Sequence, residues 1–161
     1  MTAQRHVTIE YSQFVLADFT WDDVEAPPLN EDESIGVGAR SFRVMSLIHD
    51  HDVVLDVEVW DNEPPTSQVP LVQEVTITLT TGIVMVVELM GGWTQEPPIP
   101  CGMPGRYGFR VRRSLGFAVE DRGVVTNSDT RDVLERYLIQ AWRLPGQAEE
   151  TPSHGQAPIS M

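Results

Sequence analysis

Lysine is absent from this chain: all eleven basic residues are arginine, set against twenty-four acids for a formal net charge of −13. Codon bias in a GC-rich bacterial genome accounts for that more simply than avoidance of lysine modification. Positive charge is scarcest in the first hundred residues, which hold three arginines against seventeen acids, whereas residues 101–161 hold eight against seven. Nucleic acid needs clustered basic groups to neutralise its phosphates, so the balance argues against it as a direct ligand, and anionic membrane is disfavoured for the same reason. A basic partner is what such a field attracts, although solubility alone is an equally good reason for it.

Cysteine is nearly absent too. The single Cys101 excludes an internal disulfide framework and points to a reducing compartment. No stretch approaches the run of about 18 apolar residues that a membrane helix requires. The opening MTAQRHVTIEYSQF carries no apolar h-region of a secretory signal, so the expected location is cytoplasmic. Also missing are a Gly-x-Ser-x-Gly elbow, a phosphate loop and a dinucleotide fingerprint.

What is present is β texture. Residues 75–89, VTITLTTGIVMVVEL, read as a β-hairpin with Thr80-Thr81-Gly82 as its loop and the glycine at a left-handed position. That register gathers Val75, Ile77, Leu79, Ile83, Met85, Val87 and Leu89 on one face, and it sets Glu74 opposite Glu88, a mildly unfavourable pair. Residues 6–18 alternate with a phase shift at Ser12-Gln13, as one bulged strand or two short ones would. Residues 19–34 form a long acidic loop. Strand character resumes over 35–48, where Gly36 and Gly38 mark a bend, and HDHD at 49–52 reads as a turn. The clearest alternation is in 53–60, with Val53, Leu55, Val57 and Val59 inward and Asp56 and Glu58 outward. A Pro-rich loop covers 62–70, and 91–105 is too rich in proline and glycine for a helix or a central strand. Residues 106–112 alternate Tyr107, Phe109 and Val111 with an outer row of Arg106, Arg110 and Arg112. Residues 114–128 are ambiguous. A strand over 136–143 after a short helical turn fits YLIQAW better than a helix capped by Asp129.

The sum is an all-β, single-domain antiparallel β-sandwich, or a barrel, of about seven or eight strands with long Pro/Gly loops and at most one short helix. The domain should span 1–145, followed by a disordered tail at 146–161.

Few residues carry obvious chemistry. His49 and His51 would share a strand face, but two ligands do not make a metal site, and a polar turn explains them. Cys101 sits in a Pro-Cys-Gly-Met-Pro loop with no base placed beside it by the sequence. No catalytic residue, metal or cofactor is expected, and the residues favour a non-enzyme. An interaction surface has more support: Trp21, Asp22, Asp23, Glu31, Asp32 and Glu33 set an aromatic anchor in a dense acidic loop, suited to a basic protein partner. The bland alternative is a tryptophan packed over the sheet with solvated acids around it. Trp93, beside Gly91-Gly92, invites a ligand pocket but more often covers the end of a sandwich.

IEYSQF, the acidic WDD loop, two apolar mid-chain strands and PGRYGFRV at 104–111 together resemble the competence protein J family over roughly residues 6–143. Members of that family are small bacterial inhibitors of a competence-associated DNA-entry nuclease. YLIQAW is closer to uncharacterised bacterial relatives, so no inhibitory residue is carried over. The resemblance implies a compact β protein that binds a protein partner. The leading expectation is therefore an acidic protein-binding module, an inhibitor or immunity-type protein of a basic partner such as a nuclease. The alternative is a small-molecule or metal-binding sandwich using His49, His51 and Trp93. Self-association through an unpaired edge strand stays open.

Overall fold

The computed structural model describes residues 1–9, 13–20, 27–28, 34–47, 51–88, 92–93, 97–115 and 135–145. Those residues form eleven strands and no helix: β1 (Thr2–Ile9), β2 (Gln13–Asp18), β3 (Ile35–Val37), β4 (Ser41–Met45), β5 (His51–Trp60), β6 (Leu71–Leu79), β7 (Ile83–Glu88), β8 (Gly92–Trp93), β9 (Ile99–Pro100), β10 (Gly105–Leu115) and β11 (Glu135–Arg143). Eight of them are five residues or longer. They build two sheets. One has the order β1-β5-β11-β10-β6, and the other runs β3-β4-β2-β7-β8 with β9 also paired to β7. Neither sheet closes into a barrel, so the architecture is a sandwich.

The alternation read from the sequence places the core. From the five-stranded sheet, Val53, Leu55 and Val57, then Tyr137, Ile139 and Ala141, then Tyr107, Phe109 and Val111 are buried and point inward. They meet Phe14, Leu16, Phe42, Val44, Val84 and Val86 from the six-stranded sheet. Aromatic contacts cross the layers: Phe14 and Tyr137 meet edge-on at 5.1 Å, and Phe42 and Phe109 at 5.2 Å. Pairs of this kind add about 0.5–1.5 kcal/mol each beyond the area they bury.

The central stretch is not a hairpin. β6 pairs with β10 in one sheet, and β7 pairs with β2 in the other. Thr80-Thr81-Gly82 is therefore an arch that carries the chain across the sandwich. Gly82 does adopt the expected left-handed conformation, with φ of 73°. Crossing reverses the facing of β7: Val84 and Val86 join Val75, Ile77 and Leu79 in the core, rather than Ile83 and Met85. It also removes the Glu74–Glu88 conflict, since Glu74 lies opposite Arg110 and accepts from its Nε at 3.0 Å.

Other readings shift in detail. The phase break after residue 11 separates two strands in different sheets. β5 begins at His51, so the second half of the expected HDHD turn is strand backbone. β11 confirms the strand reading of 136–143, but it pairs with β5 in parallel, the one parallel pair in an otherwise antiparallel set among the described residues. Arg112, expected in an exposed row, is 6 % exposed. A register shift beside it and the crossing loop 61–70 cover it. The tail 146–161 and the helical turn before β11 lie outside the described residues.

Candidate functional site

The residues expected to meet a partner, Trp21, Asp22, Asp23, Glu31, Asp32 and Glu33, lie outside the described residues. Their anchorage does not. β2 ends at Asp18, a carboxylate with no exposed surface that collects donors from two loops. Arg40 Nε reaches it at 3.1 Å, the Thr80 amide at 3.0 Å and the Thr80 hydroxyl at 2.6 Å. Thr81 adds its amide at 3.4 Å and its hydroxyl at 3.2 Å, and the same hydroxyl lies 2.9 Å from the Phe19 carbonyl. The Phe19 amide donates to the Ile83 carbonyl at 2.9 Å. Downstream, Pro27 is buried against Gly38, and the Ser34 carbonyl accepts from the Met45 amide at 2.8 Å. The acidic stretch is thus tied to the sandwich on both sides.

Charge is unevenly spread along the chain: residues 21–33 contribute six acids and no arginine. On the five-stranded sheet several charges are paired. Arg110 bridges Glu74 and Glu63, and Arg136 reaches Asp56 at 3.3 Å. Buried Arg112 donates to Gln140 at 3.0 Å, Gln140 to Glu58 at 3.1 Å, and the Trp60 indole to the same Glu58 oxygen at 2.9 Å. This ladder runs across the outer face of the five-stranded sheet. Loop 61–70 is strapped over it by bonds from Arg110 to the Pro64 carbonyl and from Arg112 to the Val69 carbonyl, both 2.9 Å. Trp142 lies flat on Gly108, where a Cβ would stand 2.6 Å from the ring, and Arg110 stacks over it at 5.0 Å.

Two clefts flank that loop, of about 390 Å³ beside Trp60 and Glu58 and about 480 Å³ beside Trp142 and Glu74. Their walls mix charged side chains, Glu58 and Asp61 in the first and Asp61, Glu63, Glu74 and Arg143 in the second, with apolar ones, whereas small ligands favour a predominantly apolar lining. At the far end of the sandwich Glu135 is fully buried and accepts from the Ser46 hydroxyl, the Leu47 amide at 3.0 Å and the Tyr137 hydroxyl at 3.4 Å. Burial, then the neighbouring Glu135, pushes the Tyr137 hydroxyl well above its ordinary value. This cluster clamps the chain just after β4 to β11.

For the ligand alternative, His49 and the side chains of His51 and Trp93 lie outside the described residues, and among the described residues no three His, Cys, Asp or Glu converge on a metal position. Cys101 is half-buried, and burial pushes its thiol up to about 12, opposed by a backbone hydrogen bond from Val84. The native thiol keeps its proton where the unfolded one, near 9, loses it. Stability contributed by Cys101 is therefore complete below about pH 9 and is lost as pH rises toward 12. Alkylation of native protein by iodoacetamide at pH 8 should run at least about a hundredfold slower than after denaturation, because the thiolate is the nucleophile. Equal rates in a mass-resolved time course would contradict a buried thiol.

No family model matches the chain, and no curated protein matches it. Solved structures do. The crystal structure of ComJ, inhibitor of the DNA degrading activity of NucA, from Bacillus subtilis, is similar with a TM-score of 0.55 at 14% identity, covering 88% of this chain and 96% of that one. The product of crocagin biosynthetic gene J aligns at a TM-score of 0.48 and 12% identity over 89% of this chain and 97% of its own. At these identities the likeness is one of fold.

Proposed function

We propose that this chain is a non-enzymatic, cytoplasmic protein-binding module, an inhibitor or immunity-type protein whose partner is a basic protein such as a nuclease. The observation that carries the reading is the run at residues 21–33, which sets six acids and no arginine beside Trp21. One sign of charge concentrated in so short a run suits an electrostatic contact with a basic surface. Within that run Trp21, Asp22, Asp23, Glu31, Asp32 and Glu33 form the contact, the acids steering a basic cleft and the tryptophan anchoring it. The shared fold with an inhibitor of a DNA-degrading protein supports the same class.

Capture from the native host with tagged protein tests this. At about 50 mM salt a basic protein should be retained, and at about 500 mM, where the screening length shrinks to a few ångström, it should be released. Reversing the five acids to arginine should lower low-salt capture by at least about tenfold while leaving the fold intact. Undiminished capture by the reversed variant would place the contact elsewhere.

A further inference from the structure

We infer that the free edge of β6 accepts an extended arginine- or lysine-bearing segment of a protein partner as a sixth strand of the five-stranded sheet; this rests on the basic-partner reading above. Among the described residues β6 is bonded to β10 on one side only. Antiparallel pairing turns the backbone groups of alternate residues away from the partner strand. The Thr78 amide is one that faces outward, since it donates to the Ala39 carbonyl at 2.9 Å. By the same alternation Thr76 and Glu74 present their N–H and C=O groups outward, and among the described residues nothing is bonded to them. Unpaired backbone groups of this kind are the template for strand addition.

The occupant follows from charge and from what the edge rejects. Leu71–Leu79 carries a single charged residue, Glu74, whose Oε1 accepts from Arg110 Nε at 3.0 Å and whose side chain stays 51% exposed. A basic residue opposite it makes a favourable cross-strand pair. The other edge of this sheet, β1, carries Arg5 as its one formal charge and offers a basic strand no such pairing. A second copy of the chain fits poorly. Two-fold pairing centred on Glu74 sets that carboxylate against itself, and pairing centred on Val75 brings Val72 of the copy to Thr78, whose amide Ala39 already holds. Lower registers run into the irregularity at Val72. The edge is guarded against itself and open to a strand of opposite charge.

The test needs no identified partner. Isotope-labelled full-length protein is titrated with a seven-residue peptide alternating arginine with valine and threonine, and with the same peptide carrying glutamate in place of arginine. The arginine peptide should shift the Glu74 and Thr76 amide resonances and slow their hydrogen exchange by about tenfold at saturation, while the glutamate peptide leaves them unmoved. Thr76→Pro removes an outward amide that serves no ladder bond, a position where edge strands tolerate proline, and should abolish the effect. Should that variant fail to fold, Glu74→Lys serves instead and should exchange the preference, taking the glutamate peptide and refusing the arginine one. Silence at Glu74 and Thr76, equal response to both peptides, or shifts confined to Thr2–Ile9 would overturn the inference. Salt-sensitive capture of a basic protein alongside a silent edge would overturn the edge alone.

Discussion

Asp18→Ala is expected to lower folding stability by about 3 kcal/mol, because it leaves the amides of Thr80 and Thr81 and the Arg40 guanidinium without their shared acceptor. Arg40 is 35% exposed and can turn to water, so the orphaned arch amides account for most of the loss. In a domain of this size the melting temperature should fall by about 6–12 °C, read by circular dichroism. Asp18→Asn keeps one acceptor oxygen and should cost roughly half as much. An alanine variant that melts within a degree of the parent would show that the carboxylate does not hold the arch. The same variant should raise exchange of the Thr80 and Thr81 amides before it raises exchange in the core.

The second large effect is at Gly82. Its φ of 73° is a left-handed conformation that L side chains rarely adopt, and a Cβ built there would stand 2.0 Å from the Gly102 carbonyl oxygen. Relief requires moving the 100–104 loop, yet that loop is bonded back to Gly82 itself: the amides of Cys101 and Gly102 donate to its carbonyl at 2.8 and 3.2 Å. Strain and displacement together put Gly82→Ala at about 3–5 kcal/mol. Gly38→Ala is the internal comparison. Its Cβ would meet the Pro27 Cβ at 3.3 Å and Ser41 oxygens at 3.5 and 3.7 Å, with no left-handed backbone to strain, and it should cost less than about 1 kcal/mol. Chemical denaturation of the two variants side by side checks the ranking, and equal midpoints would contradict it.

Much of the fold was legible because alternation reports which face of a strand is apolar. Val53, Leu55 and Val57 and the Tyr107-Phe109-Val111 row both lie where their period of two puts them. Alternation is silent about which sheet a strand joins. Residues 75–89 suit a hairpin and an arch almost equally, and the sequence clue that separates them is the like-charge pair that a hairpin forces on Glu74 and Glu88. Buried charges were the other blind spot. Nothing in the sequence marks Asp18 or Glu135 as buried, and Arg112 reads as one of an exposed row, because their partners, Thr80 and Thr81, Ser46, and Gln140 with Val69, are distant in sequence. The acidic run over residues 22–33 was plain from composition.

The parallel pairing of β11 with β5 has a consequence for how the chain is made. β11 lies in the middle of its sheet, between β5 and β10, and its register couples Val54 to Arg136 across more than half the chain. Without it the sheet falls into two two-stranded ribbons, β1 with β5 and β10 with β6, and such ribbons are at best marginal alone. During synthesis, then, the first hundred and thirty residues leave the ribosome with their central gap unfilled, and the sandwich closes only when the last strand arrives. Contacts of such long reach make for slow closure, on the scale of milliseconds to seconds. A released chain truncated before Glu135 should stay open to protease, and one that extends past Arg143 should become resistant in a single step.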